Sequence, residues 1–304
     1  MRARTASQSD SHITGRTNRT NRTGVVDRAQ LFAPTGPAAR LAILTYGVVA
    51  YAAFLAAITY AIGFVGNWLV PKSIDSGIVG PIAQSLIINA ALLSIFVAQH
   101  AIMARPTFKR WWTTIIPPAA ERSTFVLAAS ACLGIVYWGW CPLPQVIWSI
   151  ENQAIAIALN CVCLLGWAIV LYSSFLINHF DLFGLRQVWL HWRSRNAAPV
   201  GFRLVSLYKL VRHPLMLGFL IAFWAAPTMS LGRLAFALLT TAYIVLGTRM
   251  EEHDLVAQHG ERYRDYQRTV PAFFPSMRRR RPTAATTTIM ARPASVPGSG
   301  TSTN

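Results

Sequence analysis

An all-α, multipass transmembrane bundle is the fold class the sequence predicts, and three observations predict it. Hydrophobic residues make up 53% of the 304 positions and charged residues 13%, which is apolar for a water-soluble chain. The charges are also segregated: no Asp, Glu, Lys or Arg occurs in 41–71, 76–104, 123–150 or 152–180. Each run exceeds the ~20 residues that cross a ~30 Å hydrocarbon core. Finally, the basic residues fall in alternate connections, as they do when one face of a bundle is cytoplasmic.

The elements follow in order. Residues 1–38 are polar, basic and carry the repeat TNRTNRTG. They read as a disordered tail, too long and too polar to open a cleavable signal peptide. A single membrane domain is expected over 39–275, and a second disordered tail, rich in Thr, Ala and Pro, over 276–304. Span one should run to about Gly66, and a short loop leads to span two. That span ends near Ala104, because Pro106 discourages helix at the residue before it. Trp111 and Trp112, beside Lys109 and Arg110, form an interfacial anchor. Span three follows PPAAER and stops at CPLPQ, whose prolines cannot continue a helix. Span four covers about Asn152 to Asn178. The connection HFDLFGLRQVWLHWRSR alternates Trp with Arg and His and suits an interface. Two shorter apolar runs, 214–232 and 234–248, are expected to form a C-terminal helical hairpin turning near Gly232. The second run has only 15 uncharged residues, about 22 Å at ~1.5 Å per residue, so it crosses fully only if it extends past Thr248. HDLVAQHGERYRDYQRTVP then reads as one amphipathic cap helix on the cytoplasmic face.

The net charge of +17 raises nucleic acid as a partner, but the distribution of the cations points to a membrane face and its anionic lipids instead. Seven arginines precede span one, further cations fill the second and fourth connections, and Arg278 to Arg281 follow the last span. Lys72 alone sits in the first connection, and the third has no Lys or Arg. Both termini are therefore expected in the cytoplasm. Cys132, Cys141, Cys161 and Cys163 show no CxxC or Cys-His spacing, so no metal site is expected. No strand-GxGxxG-helix unit occurs, so any nucleotide-like cofactor must bind in the membrane domain and its cap.

Four constellations could carry chemistry. Arg212-His213-Pro214 enters the hairpin and Glu251-Glu252 leaves it, so an antiparallel hairpin brings ionisable groups together at one membrane face. Pro at the first helical position is well tolerated, and the free N–H groups of such a start suit a carboxylate. Gly218, one turn on, would let a planar group approach the backbone. Tyr263 and Tyr266 share one face of the cap and suit either stacking on a purine or packing against the hairpin. His179 lies two residues before Asp181, which could orient it as a proton acceptor; a helix-capping role fits equally. Gln99-His100, near the end of span two, is either structural or a second site-lining pair.

These residues resemble a known group. RHPLMLGF with MEEHDL and GERYRDYQRTVP is similar to the C-terminal half of the isoprenylcysteine carboxyl methyltransferase-like membrane enzymes. QHAIMARPTFKRWW, PPAAERSTFVL, SSFLINHFDLFGLRQVWL and AFWAAPTMSLGRLAFALLTTAYI sharpen this to the methanethiol S-methyltransferases of the nurim-type family, over roughly residues 40 to 275. The resemblance implies a membrane enzyme that converts a small volatile thiol, methanethiol, to dimethyl sulfide with S-adenosyl-L-methionine. It implies cofactor contacts at Arg212, His213, Pro214 and Gly218, with Glu251 and Glu252 closing the site. Many members of the wider group have Tyr two residues after the RHP triplet; Met216 stands there and offers no hydroxyl. A base must help remove the thiol proton, with His179 the first candidate and His100 the second. The alternatives are a methyltransferase for a larger thiol or a prenylated cysteine, and a non-catalytic nurim-type membrane protein.

Overall fold

The structure, a computed structural model, describes residues 36–195 and 206–275. The two tails, and the end of the connection after span four, fall outside the described residues. Within them the chain is helical, as its composition predicts. Five helices are long and apolar enough to cross a membrane.

Four of these helices match the charge-free runs: α1 (Pro37–Gly66), α2 (Ile82–Ala104), α4 (Glu121–Gly139) and α5 (Gln153–Ile177). Short α3 (Pro106–Trp112) carries the tryptophan anchor between α2 and α4. After α5, Asn178 turns the chain in a left-handed conformation, its side chain capping α6 (His179–Leu182). The interfacial α7 (Leu185–Trp192) follows, and its Val188 is fully buried against Gly47 of α1.

The C-terminal hairpin departs from expectation in two ways. Its first arm, α8 (Pro214–Trp224), has only 11 residues, about 16 Å of helix. Ala226 precedes Pro227, which lacks an N–H and disfavours helix at the residue before it. The turn therefore comes at Ala225–Ser230, not near Gly232. Backbone left non-helical at membrane depth needs partners from the protein. Strand β2 (Thr228–Ser230) finds them antiparallel to β1 (Val146–Ser149), in the connection between α4 and α5. Ile150 N–H adds a bond to the Pro227 carbonyl (3.0 Å). Ser230 then caps the second arm, α9 (Leu231–His259), by accepting from Arg233 N–H, and Gly232 lies inside the helix.

The second arm, α9 (Leu231–His259), runs 29 residues and resolves its length: it crosses fully by continuing past Thr248. His253 to His259 thus belong to α9, not to the cap. The cap proper is α10 (Glu261–Thr269), set at a corner where Gly260 takes φ +60°.

The helices pack as a ring, α1–α4–α2–α9–α8–α5, with α5 and α8 in the most intimate contact. Gly166 and Gly218 make that contact possible. A Cβ at Gly218 would stand 2.7 Å from the Gly166 carbonyl oxygen, and one at Gly166 only 2.6 Å from Ala222 N. Small residues at such a crossing let two backbones approach in a membrane, where close packing drives association.

The two halves of the bundle are filled differently. The half near the β-ribbon is packed with Phe64, Tyr137, Trp140, Trp167 and Phe236. Its far end is closed by a buried ion pair in which Arg233 Nε donates to Asp75 (3.0 Å) and Ser230 to the same carboxylate. The opposite half, called the basic face here, holds the starts of α1, α4 and α8 and the ends of α2, α5 and α9.

Candidate active site

The α8 start and the α9 end meet on the basic face. Arg212 Nε donates to Glu252 Oε1 at 2.7 Å, and His213 Nε2 donates to the same oxygen at 3.0 Å. Gln267 of α10 donates to Glu252 Oε2 at 3.0 Å. Arg212 Nη1 reaches the Gln267 carbonyl (3.0 Å) and the Val270 carbonyl. The backbone joins in: Arg212 N–H donates to the Pro271 carbonyl (2.8 Å) and His213 N–H to that of Ala272 (3.0 Å). Arg212 and Glu252 are thus a clasp that docks the cap onto the hairpin. Their side chains are 11% and 17% exposed, so little solvent screens the pair.

Glu251 differs. It approaches His213 Nδ1 only at 3.7 Å and keeps 55% of its side chain exposed. Adjacent carboxylates on one helix point to different sides, and here one is consumed by the clasp while the other faces open space. Burial, and then the Glu251 charge, raise the Tyr208 phenol well above its ordinary pKa.

Tyr263 and Tyr266 pack edge to face (5.8 Å between centroids) and form a buried cluster with Val270. Tyr266 donates to the Tyr208 carbonyl at 2.6 Å. Burial first, and the neighbouring Glu252 charge second, push the Tyr263 phenol up to about 12. Of the two roles open to these tyrosines, packing of the cap is the one their surroundings display. Gly218 is likewise held against α5.

The expected His179–Asp181 pair does not form. Asp181 is taken by Arg186 (2.8 Å) and Gln187 (3.3 Å), which lie on α7 and draw the carboxylate away. His179 is buried under Phe175, with ring centroids 4.3 Å apart. Ser174 donates its own hydrogen to the Leu171 carbonyl, so it accepts from His179 Nδ1 (2.8 Å). That leaves Nε2 to accept from Tyr51 (2.8 Å). Both ring nitrogens are therefore engaged in holding α1, α5 and α6 together. Burial lowers the His179 pKa.

His100 has the opposite surroundings. Its Nδ1 is buried without a hydrogen-bond partner, as are Gln99 Oε1 beside it, Ser123 Oγ, Ser173 Oγ and Gln187 Oε1, all toward the basic face. Native interiors leave few buried polar atoms unpaired, and each calls for an explanation such as an unseen ligand. Sequence reading missed two contributors on α9. Tyr243 packs edge-on to His100, and a Cβ at Gly247 would meet nothing within 4 Å. Tyr243, Gly247 and Glu251 lie at i, i+4 and i+8, so that spacing was the available signal. A separate cavity of about 10 Å³, lined by Cys163, Ala222 and Arg233 among others, lies in the aromatic half and has room for only about one water.

Comparison with known proteins decides the family. The chain is 50% identical over 236 residues to a methanethiol S-methyltransferase of Mycobacterium tuberculosis, covering 78% of this chain and 97% of that one. It is 49% identical over 245 residues to methanethiol S-methyltransferase 2 of Bradyrhizobium diazoefficiens, covering 81% and 94%. This chain belongs to the methanethiol S-methyltransferase family. Nurim of Bos taurus is 29% identical over 197 residues, 62% of this chain and 73% of its own. No protein-family model and no solved structure matches the chain.

Proposed function

We propose that this protein methylates methanethiol to dimethyl sulfide, with S-adenosyl-L-methionine as the methyl donor. Membership of the family whose relatives bear that name supports the reading. So does the donor set on the basic face, and one observation carries it furthest: Glu251, beside the clasp, is left without a strong partner and faces open space.

The residues fit such a cofactor. An amino-acid carboxylate suits the first turn of α8, whose N–H groups are free of intrahelical partners and lie beside Arg212 and His213. A ribose hydroxyl or the cofactor's amine suits Glu251. Arg212 and Glu252 act mainly through the clasp, by fixing the α8 start and holding α10 in place. S-adenosyl-L-methionine supplies, when bound, a methyl group activated by a sulfonium. The protein's part is to orient the two sulfur atoms, to exclude water and to take up the thiol proton. A small apolar thiol reaches an intramembrane site through the lipid bilayer and needs no polar cleft. We place the protein in the bacterial cell membrane, with the basic face and both termini cytoplasmic.

Expression in a bacterium that lacks the activity tests this. Cells fed methanethiol should release dimethyl sulfide into the headspace, measured by gas chromatography. Their membranes should bind radiolabelled S-adenosyl-L-methionine, and Glu251→Gln should weaken that binding by about 10- to 150-fold, the loss of one charge-assisted hydrogen bond. Cofactor binding without dimethyl sulfide would assign a different thiol. No cofactor binding would remove the methyltransferase reading.

A further inference from the structure

Below the α8 site, the basic half of the bundle contains a histidine whose ring packs against aromatic side chains but whose Nδ1 has no hydrogen-bond partner. His100 stands on the interior stripe of α2 formed by Ser85, Asn89, Leu93 and Phe96, each three or four residues from the next. Its ring is walled by Phe125 at 4.8 Å, Phe96 at 5.6 Å and Tyr243 at 6.2 Å between centroids. Its Nδ1 is buried and unpartnered, as is Oε1 of the adjacent Gln99. The box connects to the cofactor residues along one face of α9. From Glu251 that face passes Gly247, where a side chain would meet only open space, and arrives at Tyr243. Eight residues of helix separate Glu251 from Tyr243, a rise of about 12 Å.

We propose that this box is the thiol subsite and that His100 accepts the thiol's proton. The proposal rests on the methyltransferase reading above and deepens it. The S–H bond breaks, its proton passes to the bare imidazole nitrogen, and the pair left on sulfur forms the new S–C bond. The pair from the breaking C–S bond stays on the donor's sulfur, and the imidazolium gives its proton to water before the next turnover. The lining also sets the substrate class. Three aromatic rings favour a small uncharged alkyl thiol, whereas the ammonium and carboxylate of free cysteine would be stripped of water there without a partner. The contrast with His179 is geometric: its accepting nitrogen is filled by Tyr51, while that of His100 is free. Among the described residues, the titratable group packed against the His100 ring is Tyr243. Arg105, just past the end of α2, is paired with Asp254 of α9 (3.5 Å).

The test uses the full chain in detergent. His100→Gln should lower kcat for methanethiol by ~10²–10⁴, the range of general base catalysis. Its affinity for S-adenosyl-L-methionine, by calorimetry, should stay within about twofold of wild type, since the charge-assisted bonds that hold it lie elsewhere. The defect should narrow as pH rises toward the thiol's own pKa. Independently of turnover, diethyl pyrocarbonate should modify His100 in the wild type and leave His179 intact, as mapped by mass spectrometry, and ethanethiol should protect His100. A variant with wild-type kcat, a defect that stays constant with pH, or labelling indifferent to ethanethiol would overturn the proposal. If wild type makes no dimethyl sulfide at all, the functional reading fails by itself, and the protection experiment still decides whether the box binds a thiol.

Discussion

Removing the Glu252 carboxylate should release the cap. The carboxylate takes hydrogen bonds from Arg212 (2.7 Å), His213 (3.0 Å) and Gln267 (3.0 Å), and so joins α8, α9 and α10. In Glu252→Ala the Arg212 guanidinium, 11% exposed, loses its counter-charge. Breaking a buried pair from one side costs ~3–5 kcal/mol. Arg212 retains the carbonyls of Gln267 and Val270, which places the loss near the lower end, about 3 kcal/mol. For a chain of this size that is a fall of roughly 6–12 °C in Tm. The control is Glu261→Ala in α10, whose partner Arg264 is 51% exposed and which is itself 66% exposed. Surface pairs contribute ~0–1 kcal/mol, so Glu261→Ala should move Tm by about 4 °C or less. Thermal unfolding in detergent gives both numbers. Limited trypsin digestion should cut Glu252→Ala first at Arg262, Arg264 or Arg268, as α10 lifts away. Equal Tm losses in the two variants, with unchanged cleavage in both, would refute the clasp.

Gly166→Ala and Gly218→Ala should each cost ~1–3 kcal/mol by overpacking, because the new methyl group meets backbone atoms under 3 Å away, whereas Gly247→Ala should not destabilise; thermal unfolding of the three variants checks the order. The His179 pKa is lowered by burial, so the unfolded state binds the proton more readily. That contribution to stability is complete above the unfolded pKa of ~6.5 and is lost as pH falls through 6.5 toward the depressed folded value. Tm measured from pH 7.5 to 5 should therefore decline less steeply in His179→Gln than in wild type. Asp75→Ala should lower Tm more than Asp254→Ala: Arg233 is 9% exposed beside Asp75, whereas the Arg105–Asp254 pair is 41% and 59% exposed.

The sequence by itself determined the all-α membrane class, four of the long helices and the meeting of Arg212-His213 with Glu251-Glu252. Those features follow from local constraints: charge cannot sit cheaply in hydrocarbon, proline ends a helix, and a helical hairpin brings its two ends level. Where the hairpin turned was also written locally, in Pro227, but the length of the apolar run concealed it. Other decisions belonged to the tertiary structure alone. Which of two adjacent glutamates became a clasp depended on where α10 docked. Asp181 was drawn to Arg186 because α7 folds back beside it, so nearness to His179 in sequence did not become a pair. The same histidine found Tyr51, more than a hundred residues away, while His100 found only rings. A hydrogen bond requires an atom within about 3 Å along a given direction, and for side chains that distance is set by which helices neighbour each other in the ring.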